Sequence, residues 1–249
     1  MLYHNFCVYG TSIYSFGIFM TLLWFVTSLV MMMKTGLYYL FVLSILLLLT
    51  ISFMWFKDVS VESFYFYNMY VIKGMKYGFL WFIFTETLLF GGIFWTYFDA
   101  MIVPGSKIGT GTLVNPFGIP LMNTIILLMS GVMVTISHYE FLLGIPSLLS
   151  LLFTIILSLW FLLLQMYEYY EAGFSISDGI YGSLFYMSTG FHGLHVMAGM
   201  SFLSVNLLRF CVNHFDYSHH FGYIVSILYW HFVDVVWLFL FIFVYWWPC

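Results

Sequence analysis

The chain has 249 residues, of which 63% are hydrophobic and only 6% charged, with a formal net charge of −4. A water-soluble domain of this length carries roughly a quarter of its residues as Asp, Glu, Lys and Arg, so lipid rather than water must surround most of this one. The small, dispersed charge excludes a nucleic-acid-binding surface. Three cysteines, Cys7, Cys211 and Cys249, stand far apart with no CxxC, which argues against both a disulfide framework and a cysteine-built metal site. The opening MLYHNFCVYG has neither a basic n-region nor a small-residue cleavage site, so no signal or transit peptide is expected. Either the first span is its own insertion signal or the chain is made in the compartment where it is inserted.

About 20 apolar residues cross the hydrocarbon core as a helix, and the sequence supplies seven such stretches. The first covers residues 11–33 and stops at Lys34; the second covers 37–55 and ends at Lys57-Asp58. A more polar connecting segment, 59–75, sets these two spans (1–58) apart from the remainder (76–249). The third span, 76–103, is closed by Pro104-Gly105, and the loop GSKIGTGTLVNPFGIP that follows is too rich in Gly and Pro for regular structure. Spans at 121–139 and 146–167 are joined by a short LLGIP turn. The acidic segment EYYEAGFSISDG leads to the sixth, 180–209, and VNHFDYSHH leads to the seventh, 221–247. The expected fold is therefore all-α and integral to the membrane. Counting Lys and Arg near span ends puts Lys57, Lys73, Lys76 and Arg209 on the inner side if the N-terminus is inside, against Lys34 and Lys107 outside. An odd span number then places the C-terminus outside.

Ionisable groups at bilayer depth are costly, and each is a candidate functional group. Glu86 lies about ten residues into the third span, roughly 15 Å along the helix. His192 and His195 lie at similar depth in the sixth, three apart and so on one helix face. His231 and Asp234 repeat that spacing in the seventh, and Glu168 and Glu171 repeat it near the end of the fifth. Three readings of this set are open. The groups pair across helices and fix register; or Glu86 has a proton-related or lipid-headgroup role; or the His/carboxylate pairs hold a metal in the manner of a di-iron bundle. No Glu-x-x-His pair occurs on one helix, and His214, His219 and His220 lie far from the midplane set. Gly74-x-x-x-Gly78 is read as an incidental small-residue match, Trp230 and Trp237 as packing residues seven apart, and Trp55 and Trp246-Trp247 as interfacial anchors.

The strings YEYYEAGFSISDGIYGSLFYMSTGFHGLHVMAGM, HHFGY and YWHFVDVVWLFLFIFVYWW resemble the cytochrome c oxidase subunit III family, and WFKDV, KGMKYGFLWFIFTETLLFGGIFW and NPFGIPLMNTIILLMSGVMVT agree less tightly. The resemblance covers about residues 55–247; before it, only Tyr3-His4 and the two-span pattern remain. It implies two transmembrane helices separated from five by a lipid-filled cleft, no haem or copper in this chain, and phospholipid as the bound molecule. It also implies as partners the catalytic haem–copper subunit I, subunit II and accessory subunits, with contacts in a respiratory supercomplex. Members are thought to support proton uptake by the catalytic subunit and to protect it from turnover-linked inactivation. Glu86, in FIFTETLLF, occupies the position of the family's carboxylate, and Trp55 and Lys57 match its lipid-contacting Trp-x-basic segment. The sequence departs from the family at Lys57, where arginine is usual, at Tyr67-Asn68 in a shortened His-rich segment, at Asp99 for a histidine, and at both termini. His192, His195, His231, Asp234 and Glu168 are expected to form an interhelical polar network, with no catalytic residue and no metal ligand in this chain. Alternatives are the equivalent subunit of a quinol oxidase, which commonly lacks the first two helices, and an autonomous His/carboxylate membrane metalloenzyme. The expected location is the mitochondrial inner membrane, with a bacterial plasma membrane as the alternative.

Overall fold

Apolar runs without a charged face leave the backbone to satisfy its own polar groups, which in lipid means helices. The computed structural model, which describes residues 12–67, 69–102, 114–216 and 219–248, has seven. They are α1 (Tyr14–Thr35), α2 (Tyr39–Phe66), α3 (Met69–Ile102), α4 (Ile119–Leu142), α5 (Leu148–Glu171), α6 (Ile180–Cys211) and α7 (Phe221–Leu240), the last running on as a π-helix over Phe241–Trp246. Each stretch is long and apolar enough to cross a membrane, and among the described residues there is no strand, only an isolated bridge between Asp216 and His219. Tyr3, His4, Cys7, Asn68, Lys107, Cys249 and residues 105–113 of the Gly/Pro-rich loop lie outside the described residues.

The segment expected as a polar connection is mostly helix. α2 continues to Phe66 and α3 starts at Met69. Hydroxyls explain part of this: Ser60 and Ser63 donate back to the carbonyls of Phe56 and Ser60, so polar side chains add no competing demand on the helix.

Two units make up the chain, residues Met1–Met75 and Lys76–Cys249. In the first, α1 and α2 form a hairpin. Gly36 ends α1 in the left-handed region (φ 72°), where its N–H reaches Met32 O, a conformation that favours glycine. Across the pair the hydroxyls of Ser28 and Ser44 meet at 2.8 Å in a fully buried contact, flanked by Phe25 and Phe41 with ring centroids 5.3 Å apart.

In the second unit α4 packs on α5 and α7, and α6 packs on α5 and α7. Trp230, Trp237, Tyr223, Phe161, Phe185 and Tyr245 fill its centre. Small polar residues line the helix contacts and bond to their own helix, as Ser130 does to Leu127 O and Thr154 to Ser150 O, which lets neighbouring helices approach without orphaned groups. Two glycines permit close approach between helices. A Cβ on Gly199 would lie 2.9 Å from the Trp230 ring, and one on Gly131 would lie 2.5 Å from Asp234 Oδ2. Gly74 and Gly78, by contrast, have nothing within 4 Å of such a Cβ. Large apolar side chains on the outer faces, among them Trp81, Trp95, Leu149 and Leu194, stay exposed, as a lipid-facing surface requires.

Candidate mid-membrane proton site

Glu86 stands at the middle of the 34-residue α3 and His195 at the middle of the 32-residue α6. Their facing sides bring His195 Nε2 to 3.0 Å from Glu86 Oε2. The other ring nitrogen, Nδ1, lies 2.7 Å from the carbonyl of Phe191 one turn earlier. A carbonyl only accepts, so Nδ1 carries hydrogen and donates. The Nε2–Oε2 contact must therefore hold one further proton. Either the neutral acid donates it to imidazole, or imidazolium donates it to carboxylate. The two side chains are 24% and 14% exposed, and rings close around the pair. Phe90 lies 5.1 Å from the His195 ring, Phe232 lies 6.3 Å away, and Tyr229 stacks at 6.4 Å with 16° between planes.

The remaining in-span polar residues fall into separate places. His192, fully buried, donates from Nε2 to Val233 O at 3.2 Å and so ties α6 to α7; Phe161 and Trp237 cover its ring. Although three residues from His195 on α6, it has no contact with Glu86 among those found. His231 and Asp234 do not pair across helices as expected: their Nδ1–Oδ2 contact of 3.7 Å lies within α7. The Asp234 carboxylate instead fills the gap that Gly131 leaves on α4. Glu168 is buried near the end of α5 with neither oxygen in a hydrogen bond. Glu171, one turn on, is exposed.

Lys57 is exposed and Trp55 half-buried on α2. Two residues apart on a helix, they project from different faces. Trp55 stacks on Phe56, and Trp246 is exposed. Among the described residues no three His, Cys, Asp or Glu side chains gather as a metal-holding group.

Sequence reasoning missed three contributors. Trp230 donates from its indole N–H to Ser130 Oγ at 3.0 Å, Tyr223 donates to Ser137 Oγ at 2.7 Å, and Asn206 donates to Ser226 Oγ at 2.8 Å. Each joins two helices. The available signal was an amide or hydroxyl inside an apolar span, the same signal that marked Glu86.

Outside the spans, Asp178 accepts the N–H of Ser175 at 2.7 Å, and that bond holds its carboxyl below the usual range. The His214 imidazole accepts the Arg209 Nε–H at 3.1 Å. Burial, then the adjacent guanidinium, hold it below the ordinary histidine value.

The family model described as cytochrome c oxidase subunit III matches residues 4–249. Similar curated proteins include cytochrome c oxidase subunit 3 of Lycodon semicarinatus, 45% identical over 234 residues (90% of this chain, 87% of the relative). That of Drosophila melanogaster is 45% identical over 218 residues (84% and 83%). That of Rattus norvegicus is 47% identical over 205 residues (78% of each).

Proposed function

The chain belongs to the cytochrome c oxidase subunit III family and is a subunit of that oxidase, and from this membership we propose that its Glu86–His195 pair stores a proton at mid-membrane and supports proton uptake by the catalytic neighbour. The observation that carries the reading is the pair itself. Because Phe191 O commits His195 Nδ1 as a donor, one proton alone distinguishes the two charge states of the contact. Such a pair takes up or releases a proton with a small change of geometry, which suits a store beside a proton-consuming centre.

The chemistry of oxygen reduction belongs in this reading to partner subunits that carry haem and copper, chiefly subunit I with subunit II. This chain contributes protons, phospholipid contacts and stability. Trp55 and Lys57, on separate faces of α2, are proposed to engage lipid one by one, the indole at the interface and the ammonium at phosphate. The setting is the mitochondrial inner membrane with the N-terminus on the matrix side, a proposal supported by the animal oxidase relatives and by the four basic residues at inner span ends. The relatives are cytochrome c oxidase subunits, which favours cytochrome c over quinol as donor.

Glu86→Gln keeps the side chain's shape and removes the titrating acid. In the assembled oxidase it is expected to slow proton uptake during turnover and hasten inactivation, while leaving haem content unchanged. If oxygen turnover, inactivation rate and lipid content all match those of the unsubstituted oxidase, the proton-storage role is wrong.

A further inference from the structure

Asn123 of α4, Gln165 and Glu168 of α5, and Tyr245 of the π-helix form a second buried polar group, distinct from the Glu86–His195 pair. Asn123 Nδ2 donates to Gln165 Oε1 at 3.4 Å, and there the hydrogen bonding stops. Asn123 Oδ1, Gln165 Nε2, both Glu168 oxygens and the Tyr245 hydroxyl are buried without a partner, although Tyr245 faces both Gln165 and Glu168. None of the four residues is more than 5% exposed. Buried polar atoms in folded proteins are bonded to protein or to ordered water. Five such atoms gathered on four neighbouring side chains, none in a well-formed hydrogen bond, make a site that a bridging water satisfies with about three hydrogen bonds.

A second observation says where water comes from. A cavity of about 300 Å³ opens at this end of the bundle, lined by Asn115, Gly118, Pro120, Glu171 and Gly173, with Glu168 in its wall. At about 30 Å³ per liquid water it has room for roughly ten. The Glu168 oxygens are covered, and Glu168 is the side chain that the cavity wall and the orphaned group share. The backbone contributes too: the shift to a π-helix at Phe241 reorients the end of the seventh span, so that Tyr245 is buried here and the Val244 carbonyl is free to accept from Tyr181 at 3.4 Å.

We propose that water passes from this cavity behind Glu168, bridges Gln165, Asn123 and Tyr245, and exchanges a proton with the Glu168 carboxyl. The step is a simple transfer: the carboxylic O–H breaks, water gains the proton as hydronium, and the carboxylate remains, with the reverse on return. Tyr169 on α5, Tyr186 on α6 and Tyr245 on the π-helix are the titratable groups that face it, and Glu171 shares the cavity. The two ion pairs found among the described residues involve other carboxylates, so water is the exchange partner the site offers.

Radiolytic hydroxyl labelling of the purified oxidase complex in ¹⁸O-water tests the site. Tyr245 is expected to label within a few-fold of exposed Tyr170. It should label roughly tenfold or more faster than Tyr223, which is equally buried but has its hydroxyl bonded to Ser137. Labelling of Tyr245 as slow as that of Tyr223 would make the interior dry and overturn the proposal. Proton exchange has its own readout in the infrared difference spectrum between the unsubstituted complex and Glu168→Gln, a variant that keeps shape and hydrogen bonding. The Glu168 band should shift on transfer to D₂O as promptly as bands of exposed carboxyls. A band indifferent to D₂O after hours refutes the exchange.

Discussion

Replacing Gly131 by alanine should reverse its effect on stability according to the residue at position 234. The added methyl would lie 2.5 Å from Asp234 Oδ2 and 3.7 Å from His231 Nδ1. Since Asp234 is only 7% exposed, its carboxylate has little space to rotate away. Overpacking of this kind costs about 1–3 kcal/mol, and a site closed on two sides belongs in the upper half of that range. Against it stands the gain from exchanging glycine for alanine inside a helix, about 1 kcal/mol. Gly131→Ala should therefore lower stability by about 1–2 kcal/mol, the difference of those terms. In an Asp234→Ala background the clashing atom is gone, and the same glycine change should raise stability by about 1 kcal/mol. Thermal dissociation of the purified complex, followed for the four members of the double-mutant cycle, reads the coupling directly as opposite shifts of the midpoint. Equal shifts in both backgrounds would refute the reasoning, because they would mean that the carboxylate does not occupy the space left by Gly131.

Trp230→Phe removes the indole N–H that reaches Ser130 and some ring volume between α6 and α7; a loss of about 1–3 kcal/mol, seen as a lower midpoint in the same assay, is expected from the bond and the space together. The α5–α6 loop should loosen in acid. The Asp178 carboxyl is held below its usual range, so its contribution is complete above the ordinary aspartate pKa of about 3.9 and is lost as pH falls through the lowered folded value. Amide hydrogen exchange at Ser175 should accelerate over that window, and Asp178→Asn should abolish the pH dependence. His214 behaves in the same direction: as a base with a lowered folded pKa it stabilises fully above about pH 6.5 and progressively less below. Limited proteolysis between α6 and α7 should therefore quicken on acidification and lose that dependence in His214→Gln.

Apolar run length settled the number of helices because crossing lipid leaves the backbone no alternative to internal hydrogen bonding. It could not place their ends where polar side chains serve their own helix, as Ser60 and Ser63 do, so α2 outruns its apolar stretch. Nor does anything in FIFVYW distinguish an i+4 from an i+5 ladder. The midplane ionisable residues were legible because each is expensive in lipid. Their partners were not, since spacing along one helix fixes which side chains share a face but not which neighbour that face meets. Glu86 finds His195, while His231 and Asp234 turn to each other and to the space at Gly131.

One contact also sets a clock on the making of the protein. His195 follows Glu86 by 109 positions. At about 5–20 residues per second of synthesis, α3 waits roughly 5–20 s before α6 has even left the ribosome. Throughout that interval a half-membrane-deep acid has no imidazole to face. Nascent chains of this kind need a host for α3 in the meantime, whether water in the insertion machinery, a lipid headgroup drawn inward or a waiting assembly factor. Arrest of translation between the third and sixth spans should trap that host in crosslinking range of position 86.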